Sequence, residues 1–302
     1  GRSWRLLGVA SFGEGHAANP SLALGPDGQV YLAYRLVRPG RYELHLSRSG
    51  DGGHTFAPVS VIARGVRGLW EPALGWVDGE LWVFYSTEEH APRFPQAIGW
   101  RRSADGGRSW QPEELVTRNP FSRDGMPAWA RVGERIYLAY EATDLGNPFV
   151  IKLVTSPDGG RTWSPPRLVY RPADPAKRAS APALAVVPAG ALARVAAAER
   201  DIADGAGGTS GTGRVEEGPV GLVVAFQTNE DHPTEAGDHA TDIKYVVSPD
   251  GGHTWSPAYP ALTSPWPDHW AGLVRLPTGE LLLTVTSGNR LAVRLGRLDP
   301  AL

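Results

Sequence analysis

Cysteine is absent from the 302 residues, so no disulfide contributes and the redox compartment cannot be read from thiols. No apolar run approaches the roughly 18 residues that a membrane-spanning helix needs. Charge of one sign is missing as well. Thirty Lys and Arg face 32 Asp and Glu, the net charge is −2, and no long block of like charge occurs. That balance argues against nucleic acid or an anionic membrane as a partner. Lysine is nearly absent (Lys152, Lys177 and Lys244), a compositional bias that carries no functional signal. Methionine occurs once, at Met126, so Gly1 is not a translation start. Either a leader was removed or the chain was trimmed; we expect a secreted or periplasmic protein, with a cytoplasmic one left open. The eight His residues show no metal-ligand spacing, no Gly-rich phosphate loop is present, and no Ser–His–Asp order stands out. We therefore expect no cofactor and no metal.

What the chain has in quantity is a repeat. Ser156-Pro157-Asp158-Gly159-Gly160-Arg161-Thr162-Trp163 recurs at Ser49–Phe56, Ser103–Trp110 and Ser248–Trp255. The Asp carboxylate can accept turn N–H groups and the glycines supply positive φ, so each copy reads as a β-hairpin turn. A second phrase recurs ahead of each turn. It reads Asn19-Pro20-Ser21-Leu22, Glu71-Pro72-Ala73-Leu74, Met126-Pro127-Ala128-Trp129, Ala181-Pro182-Ala183-Leu184 and His269-Trp270-Ala271-Gly272. Short β-branched and aromatic second strands follow at Val30–Arg35, Leu81–Tyr85, Ile136–Glu141, Gly221–Gln227 and Leu281–Val285.

One unit is thus four antiparallel strands in about 53 residues, and five units can be counted. An insertion at roughly 189–218 lengthens the fourth, and its part 204–213, rich in Gly, Ser and Thr, is expected to be mobile. The fifth unit lacks the repeated turn. The N-terminal stretch Trp4–Ala10 is expected to supply its outer strand and so remove free sheet edges. The turn pattern resembles the Asp box of sialidase-like β-propellers. The expected fold is therefore an all-β, single-domain propeller over 1–302 of four-stranded antiparallel blades, with a sixth blade left open.

Propeller geometry puts residues just before each first strand and just after each second strand on one face. These are Asn19, Arg35, Trp70, Glu71, Tyr85, Ser86, Arg123, Asp124, Tyr140, Glu141, Arg178, Gln227, Glu230, Asp231, Asp268, His269, Asn289 and Arg290. Acids, arginines and aromatics converging on one mouth suit a sugar. Trp70 and Trp270 are the better stacking candidates, since aromatic faces match the apolar faces of sugars. His90 and His232 could add hydrogen bonds. The ordinary reading of any one of these residues is a solvated loop position.

Glu71 and Glu141 stand apart because each abuts an apolar strand, where partial desolvation raises a carboxyl pKa. Two carboxylates on one face are what glycoside hydrolysis requires, one attacking or activating water and one protonating the leaving oxygen. The competing reading is a salt bridge to Arg123 or Arg178.

The span Gly68-Leu69-Trp70-Glu71-Pro72, Leu81–Ser86, Arg123–Pro127 and Tyr137-Leu138-Ala139-Tyr140-Glu141 resembles the exo-α-1,5-L-arabinanases of glycoside hydrolase family 93. That resemblance implies release of arabinobiose from chain ends with retention, Glu71 as nucleophile and Glu141 as acid/base. It further implies an oligosaccharide as the partner, and we expect a monomer. A sialidase would need three arginines, an Asp acid and a Tyr nucleophile with a Glu partner. Arg35, Arg123, Arg178 and Arg290 could supply the arginines, but no Tyr–Glu pairing shows in the sequence. A propeller that only binds glycans is the non-enzymatic alternative.

Overall fold

A computed structural model describes residues 6–10, 14–144, 148–189, 192, 195–196, 220–233, 240–288 and 290–298. Twenty strands form five four-stranded antiparallel sheets, with no α-helix among the described residues. The first sheet holds β1 (His16–Leu24), β2 (Val30–Arg38), β3 (Arg41–Ser49) and β4 (Ala57–Gly65). The second holds β5 (Leu69–Val77), β6 (Glu80–Thr87), β7 (Ala97–Ser103) and β8 (Glu114–Leu115). The third holds β9 (Ser122–Val132), β10 (Arg135–Asp144), β11 (Val150–Ser156) and β12 (Arg167–Tyr170). The fourth begins with β13 (Ala179–Pro188) and, beyond β14 (Val195–Ala196), continues with β15 (Val220–Thr228), β16 (Asp242–Ser248) and β17 (Tyr259–Leu262). The fifth is β18 (Asp268–Arg275), β19 (Leu281–Ser287) and β20 (Arg290–Leu298), with β14 on its outer edge. Apart from β14, strands adjacent in sequence are adjacent in space.

The outer strand of the fifth sheet differs from expectation. Val195 pairs with Leu298, so the insertion supplies that strand rather than Trp4–Ala10. Residues 6–10 form no strand, and Ala10 packs with Leu32, Tyr34 and Leu36 of the first sheet. Closing the loop from Val195 spans about a third of the chain needed from the N-terminus, which lowers the entropic cost by about 1 kcal/mol. Trp4 and the stretch 204–213 lie outside the described residues.

The chain divides into two compact units, Trp4–Pro127 and Ala128–Leu302, with the boundary inside β9. In the first, Tyr31, Leu44, Leu46, Leu69, Leu74, Leu81, Val83 and Tyr85 form one core between the first two sheets. In the second, Tyr137, Leu153, Leu184, Leu222 and Phe226 form one core and Ala185, Val223, Ile243, Leu273 and Leu283 another. Period-2 alternation of the strands produces these layers, since within each unit one face of a sheet packs on its neighbour.

The four repeated turns share one hydrogen-bond pattern. In the third copy, Ser156 Oγ donates to Asp158 Oδ1 at 2.8 Å, Thr162 N donates to the same oxygen at 2.8 Å, and Thr162 Oγ1 donates to Oδ2 at 2.6 Å. The same three contacts occur around Asp51, Asp105 and Asp250. In two of the copies the second glycine of the turn is needed for space as well as for φ. A Cβ at Gly107 (φ +84) would lie 2.1 Å from Leu46, and one at Gly252 (φ +89) would lie 2.4 Å from Leu153. These two turns seat on the core of the sheet before them, whereas the same position in the first copy, Gly53, faces open space.

A second backbone feature recurs on the first strand of every sheet. Asn19, Glu71, Met126, Ala181 and Trp270 have φ of 53°, 42°, 52°, 49° and 53°. Around four of them two residues of the first strand face one of its partner, between Ala18 and Ser21, Trp70 and Ala73, Ser180 and Ala183, and His269 and Gly272. Each of these four is a β-bulge, and all five residues are non-glycines in the left-handed region, a conformation that costs about 1–2 kcal/mol. Bulges re-aim a side chain, and here they do so at the end of the strand where the expected site lies.

Candidate active site

Within the first unit the bulge turns Glu71 toward donors. Ser86 Oγ, on the neighbouring strand β6, donates to Glu71 Oε2 at 2.9 Å. Met126 N donates to Glu71 as well as to Ser86 Oγ, the latter at 3.2 Å. Burial raises the Glu71 carboxyl above the usual range; the two hydrogen bonds and the Arg35 charge oppose that rise, and the Glu88 charge reinforces it. Arg35 lies with its guanidinium carbon 4.5 Å from the Trp70 ring centroid. Burial lowers its pKa, and the charge of Glu71 resists the change. Arg35 Nε is buried with no hydrogen-bond partner among the described residues. Trp70 is fixed from the other side: its Nε1–H donates to Glu88 Oε1 at 3.2 Å, and Tyr42 lies 5.4 Å from it. Arg123 Nη2 donates to Glu88 Oε1 and to Gln96 Oε1, both at 2.7 Å.

This group contains Arg35, Trp70, Glu71 and Arg123 from the expected set. Tyr42, Glu88 and Gln96 were not anticipated. Glu88 directly follows β6 within the acidic stretch Glu88-Glu89-His90, which was the available signal. Two expected members of the first unit do not join. Tyr85 is fully buried, because it neighbours Ser86 in a strand and so points to the opposite face. Asp124 is buried too, accepting from Ser122 Oγ at 2.6 Å while its N–H donates to Gln96 O at 3.1 Å. Asn19 occupies the bulge of the first sheet, and its buried Oδ1 has no partner among the described residues.

The second unit repeats the arrangement with other side chains. Glu141 Oε2 accepts from Ala181 N at 2.8 Å, and Gln227 Oε1 accepts from Trp270 N at 3.1 Å. Ser86, Glu141 and Gln227 thus perform one task at equivalent places: each holds the bulge N–H of the next sheet's first strand. Tyr140, beside Glu141, is buried on the opposite face. Glu230 accepts from Tyr170 Oη at 2.6 Å and pairs with Lys244 at 2.8 Å; Asp231 pairs with the same ammonium at 2.7 Å. Arg178 is anchored through its backbone N, which donates to Asn229 Oδ1 at 2.8 Å. His269 Nδ1 lies 3.0 Å from Thr241 Oγ1, and its ring is 5.5 Å from that of Trp270. Trp270 is 60% exposed, leaving an aromatic face open to a ligand. Arg290 is exposed at the start of β20, and Asn289 lies outside the described residues.

Two Tyr–Glu contacts that the sequence did not reveal are present, Tyr85 with Glu113 and Tyr170 with Glu230. Burial, with the neighbouring carboxylate adding to it, raises both phenols, which disfavours a phenolate nucleophile. Among the described residues no group of three or more His, Asp or Glu side chains is placed to hold a metal ion. An apolar cavity of about 300 Å³ lies between the fourth and fifth sheets, lined by Val223, Tyr245, Leu262, Leu273, Leu283 and Leu295 among others. It includes none of the expected site residues, and its lining offers little to orient a sugar.

Neither a family model nor a curated protein matches the sequence. Solved structures do match. An α-L-arabinanase of Penicillium chrysogenum, complexed with arabinobiose, superposes with a TM-score of 0.66 at 18% identity, over 93% of this chain and 76% of that one. The α-L-arabinofuranosidase Arb93A of Fusarium graminearum, in complex with an iminosugar inhibitor, gives 0.65 at 15% identity over 95% and 78%. A Hadza microbial sialidase gives 0.56 at 16% identity over 95% of this chain and 57% of that one. Such identities carry architecture rather than chemistry, and the architecture agrees with the five four-stranded sheets: the chain has the sialidase-like β-propeller fold.

Proposed function

We propose that the protein is a retaining glycoside hydrolase acting on arabinan-type oligosaccharides, with Glu71 as the nucleophile. The carrying observation is the surroundings of Glu71. A largely buried carboxylate sits on a strained bulge, held by Ser86 Oγ–H and Met126 N–H, with a guanidinium and an indole alongside. The two donors and Arg35 favour the anion that must attack the anomeric carbon, while burial keeps that anion poorly solvated and reactive. Glu141 is assigned the acid/base role through its likeness to the Tyr-Glu strand of family 93. Its Oε2 accepts from Ala181 N–H at 2.8 Å, which orients the carboxyl. An α-L-arabinanase and an α-L-arabinofuranosidase among the similar structures support this substrate class. The raised phenols at Tyr85 and Tyr170 weigh against the sialidase reading.

Trapping tests the assignment. A 2-fluoro arabinofuranosyl probe with a good leaving group should add one sugar mass to the intact protein, and digestion should locate it on Glu71. A label elsewhere, or turnover with inverted product stereochemistry, overturns the assignment. Binding of arabinan fragments without hydrolysis would instead indicate a glycan-binding propeller.

A further inference from the structure

We propose that Glu88 is a positioning residue for the nucleophile: it fixes the Trp70 indole, and the indole in turn holds the Arg35 guanidinium beside Glu71. The inference rests on the reading of Glu71 as the nucleophile and adds a group that acts on it without touching substrate.

The relay can be followed contact by contact. An indole has a single polar atom, and that atom only donates. In Trp70 its N–H donates to Glu88 Oε1 at 3.2 Å. The same oxygen accepts from Arg123 Nη2 at 2.7 Å, and Arg123 Nη2 also donates to Gln96 Oε1 at 2.7 Å, so the carboxylate is itself pinned. Glu88 N donates to Gly68 O at 2.9 Å, which fixes the backbone at this point. Gly68 is required for space. A Cβ there would lie 2.5 Å from Trp70 Nε1 and 2.9 Å from the Glu88 carboxyl carbon, so a side chain would wedge the two apart.

The ring so fixed locates Arg35. Its guanidinium carbon lies 4.5 Å from the Trp70 centroid, and Tyr42 packs against the same ring at 5.4 Å. Arg35 Nε is buried with no hydrogen-bond partner among the described residues, so stacking on the indole sets where that nitrogen lies. Arg35 on β2 and Glu88 after β6 are the charges that bear on Glu71, with Tyr42 of β3 beside Arg35 and Arg123 of β9 on Glu88. They act in opposite senses: the Arg35 charge favours the Glu71 anion and the Glu88 charge disfavours it. Glu88 therefore has two effects on Glu71 of opposite sign, one through space and one through the indole. An amide at position 88 removes the first and keeps the second, since its oxygen still accepts from Trp70 N–H.

The test reads the Glu71 carboxyl directly, by carbon NMR titration of the full chain carrying carboxyl-labelled glutamate, with Glu71→Gln to assign the signal. Glu88→Gln should lower the Glu71 pKa below that of the wild type, because only the opposing charge is gone, and should keep kcat within about threefold. Glu88→Ala also loses the acceptor. It should place the Glu71 pKa above that of the Gln variant and lower kcat by about tenfold or more. Gly68→Ala keeps the charge and breaks the contact, so Glu71 should titrate above the wild type; it serves if Glu88→Ala fails to fold. Matching titrations in the Gln and Ala variants, or an unmoved one in Gly68→Ala, overturn the proposal, for Glu88 would then act by charge alone. The titration needs no substrate and is thus separable from the hydrolase reading. The expected order of pKa values without turnover of any glycan leaves the relay standing and removes that reading. Glu71-dependent turnover with matching Gln and Ala titrations does the reverse.

Discussion

The two ends of the sheets solve opposite problems. At one end, the four Ser-x-Asp-x-Gly turns are nearly identical in sequence and in hydrogen bonding, and every carboxylate oxygen there has a donor. At the other end, five positions share a left-handed backbone but carry Asn, Glu, Met, Ala and Trp. Uniform side chains on a uniform backbone mark structure. Varied side chains on a uniform, strained backbone mark a place where the scaffold is repeated and the chemistry is not. Glu71 is the one acid among the five.

Breaking the contrast at Glu71 should have the largest effect. Glu71→Gln is expected to lower kcat on an arabinan substrate by roughly a thousandfold or more while the far-UV spectrum is unchanged. It should also raise Tm more at neutral pH than at pH near 4. The folded state holds the Glu71 proton more tightly than the unfolded chain does, so the wild-type side chain is least costly in acid and loses that advantage as pH rises. Equal activity of the variant removes Glu71 from the chemistry.

Ser86→Ala is next. Losing one donor should cost about tenfold to a hundredfold in kcat. It should also move the ascending limb of the pH–rate profile upward, because the carboxylate loses a hydrogen bond that lowered its pKa. An unmoved limb would mean that Ser86 holds only the Met126 backbone.

At the turn end the prediction reverses. Asp158→Ala should lower Tm by a few degrees without changing kcat/KM. Hydrogen bonds from Thr162 depress the Asp158 carboxyl to about 2. Its contribution is therefore complete above the ordinary Asp range and is lost as pH falls toward 2, so wild type and variant should converge in stability in acid. A constant difference across that window would mean that the turn works by shape alone.

The smallest effect tests the bulge itself. Ala181→Gly relieves a φ of 49°, and the net gain, after the added freedom of the unfolded chain, should be at most about 1 kcal/mol by denaturant titration. Destabilisation would show that the Ala181 methyl packs well enough to outweigh the strain.

The architecture was legible early for a simple reason. Hairpin turns depend on residues within eight positions of one another, and repetition made four copies visible. The second strands at Val30–Arg35, Leu81–Tyr85, Ile136–Glu141, Gly221–Gln227 and Leu281–Val285 fall inside β2, β6, β10, β15 and β19 for the same reason. Other features were hidden. Tyr85 and Tyr140 pass a proximity rule and fail on alternation, since the neighbouring Ser86 and Glu141 take the site face. The bulges gave no glycine to announce positive φ. The outer strand of the fifth sheet came from an insertion with no strand-like pattern to mark it.

Local chemistry therefore settled the hairpin, its turn residues and the number of repeats, because short-range hydrogen bonds and period-2 burial are written directly in the order of residues. Only tertiary packing brought Arg35 onto Trp70, Glu88 to Trp70 and Arg123, and three guanidiniums onto Glu43. Those partners come from different strands and sheets. Whether a charge is neutralised, stacked or left seeking a ligand depends on what lies across the gap, and no spacing along the chain encodes that.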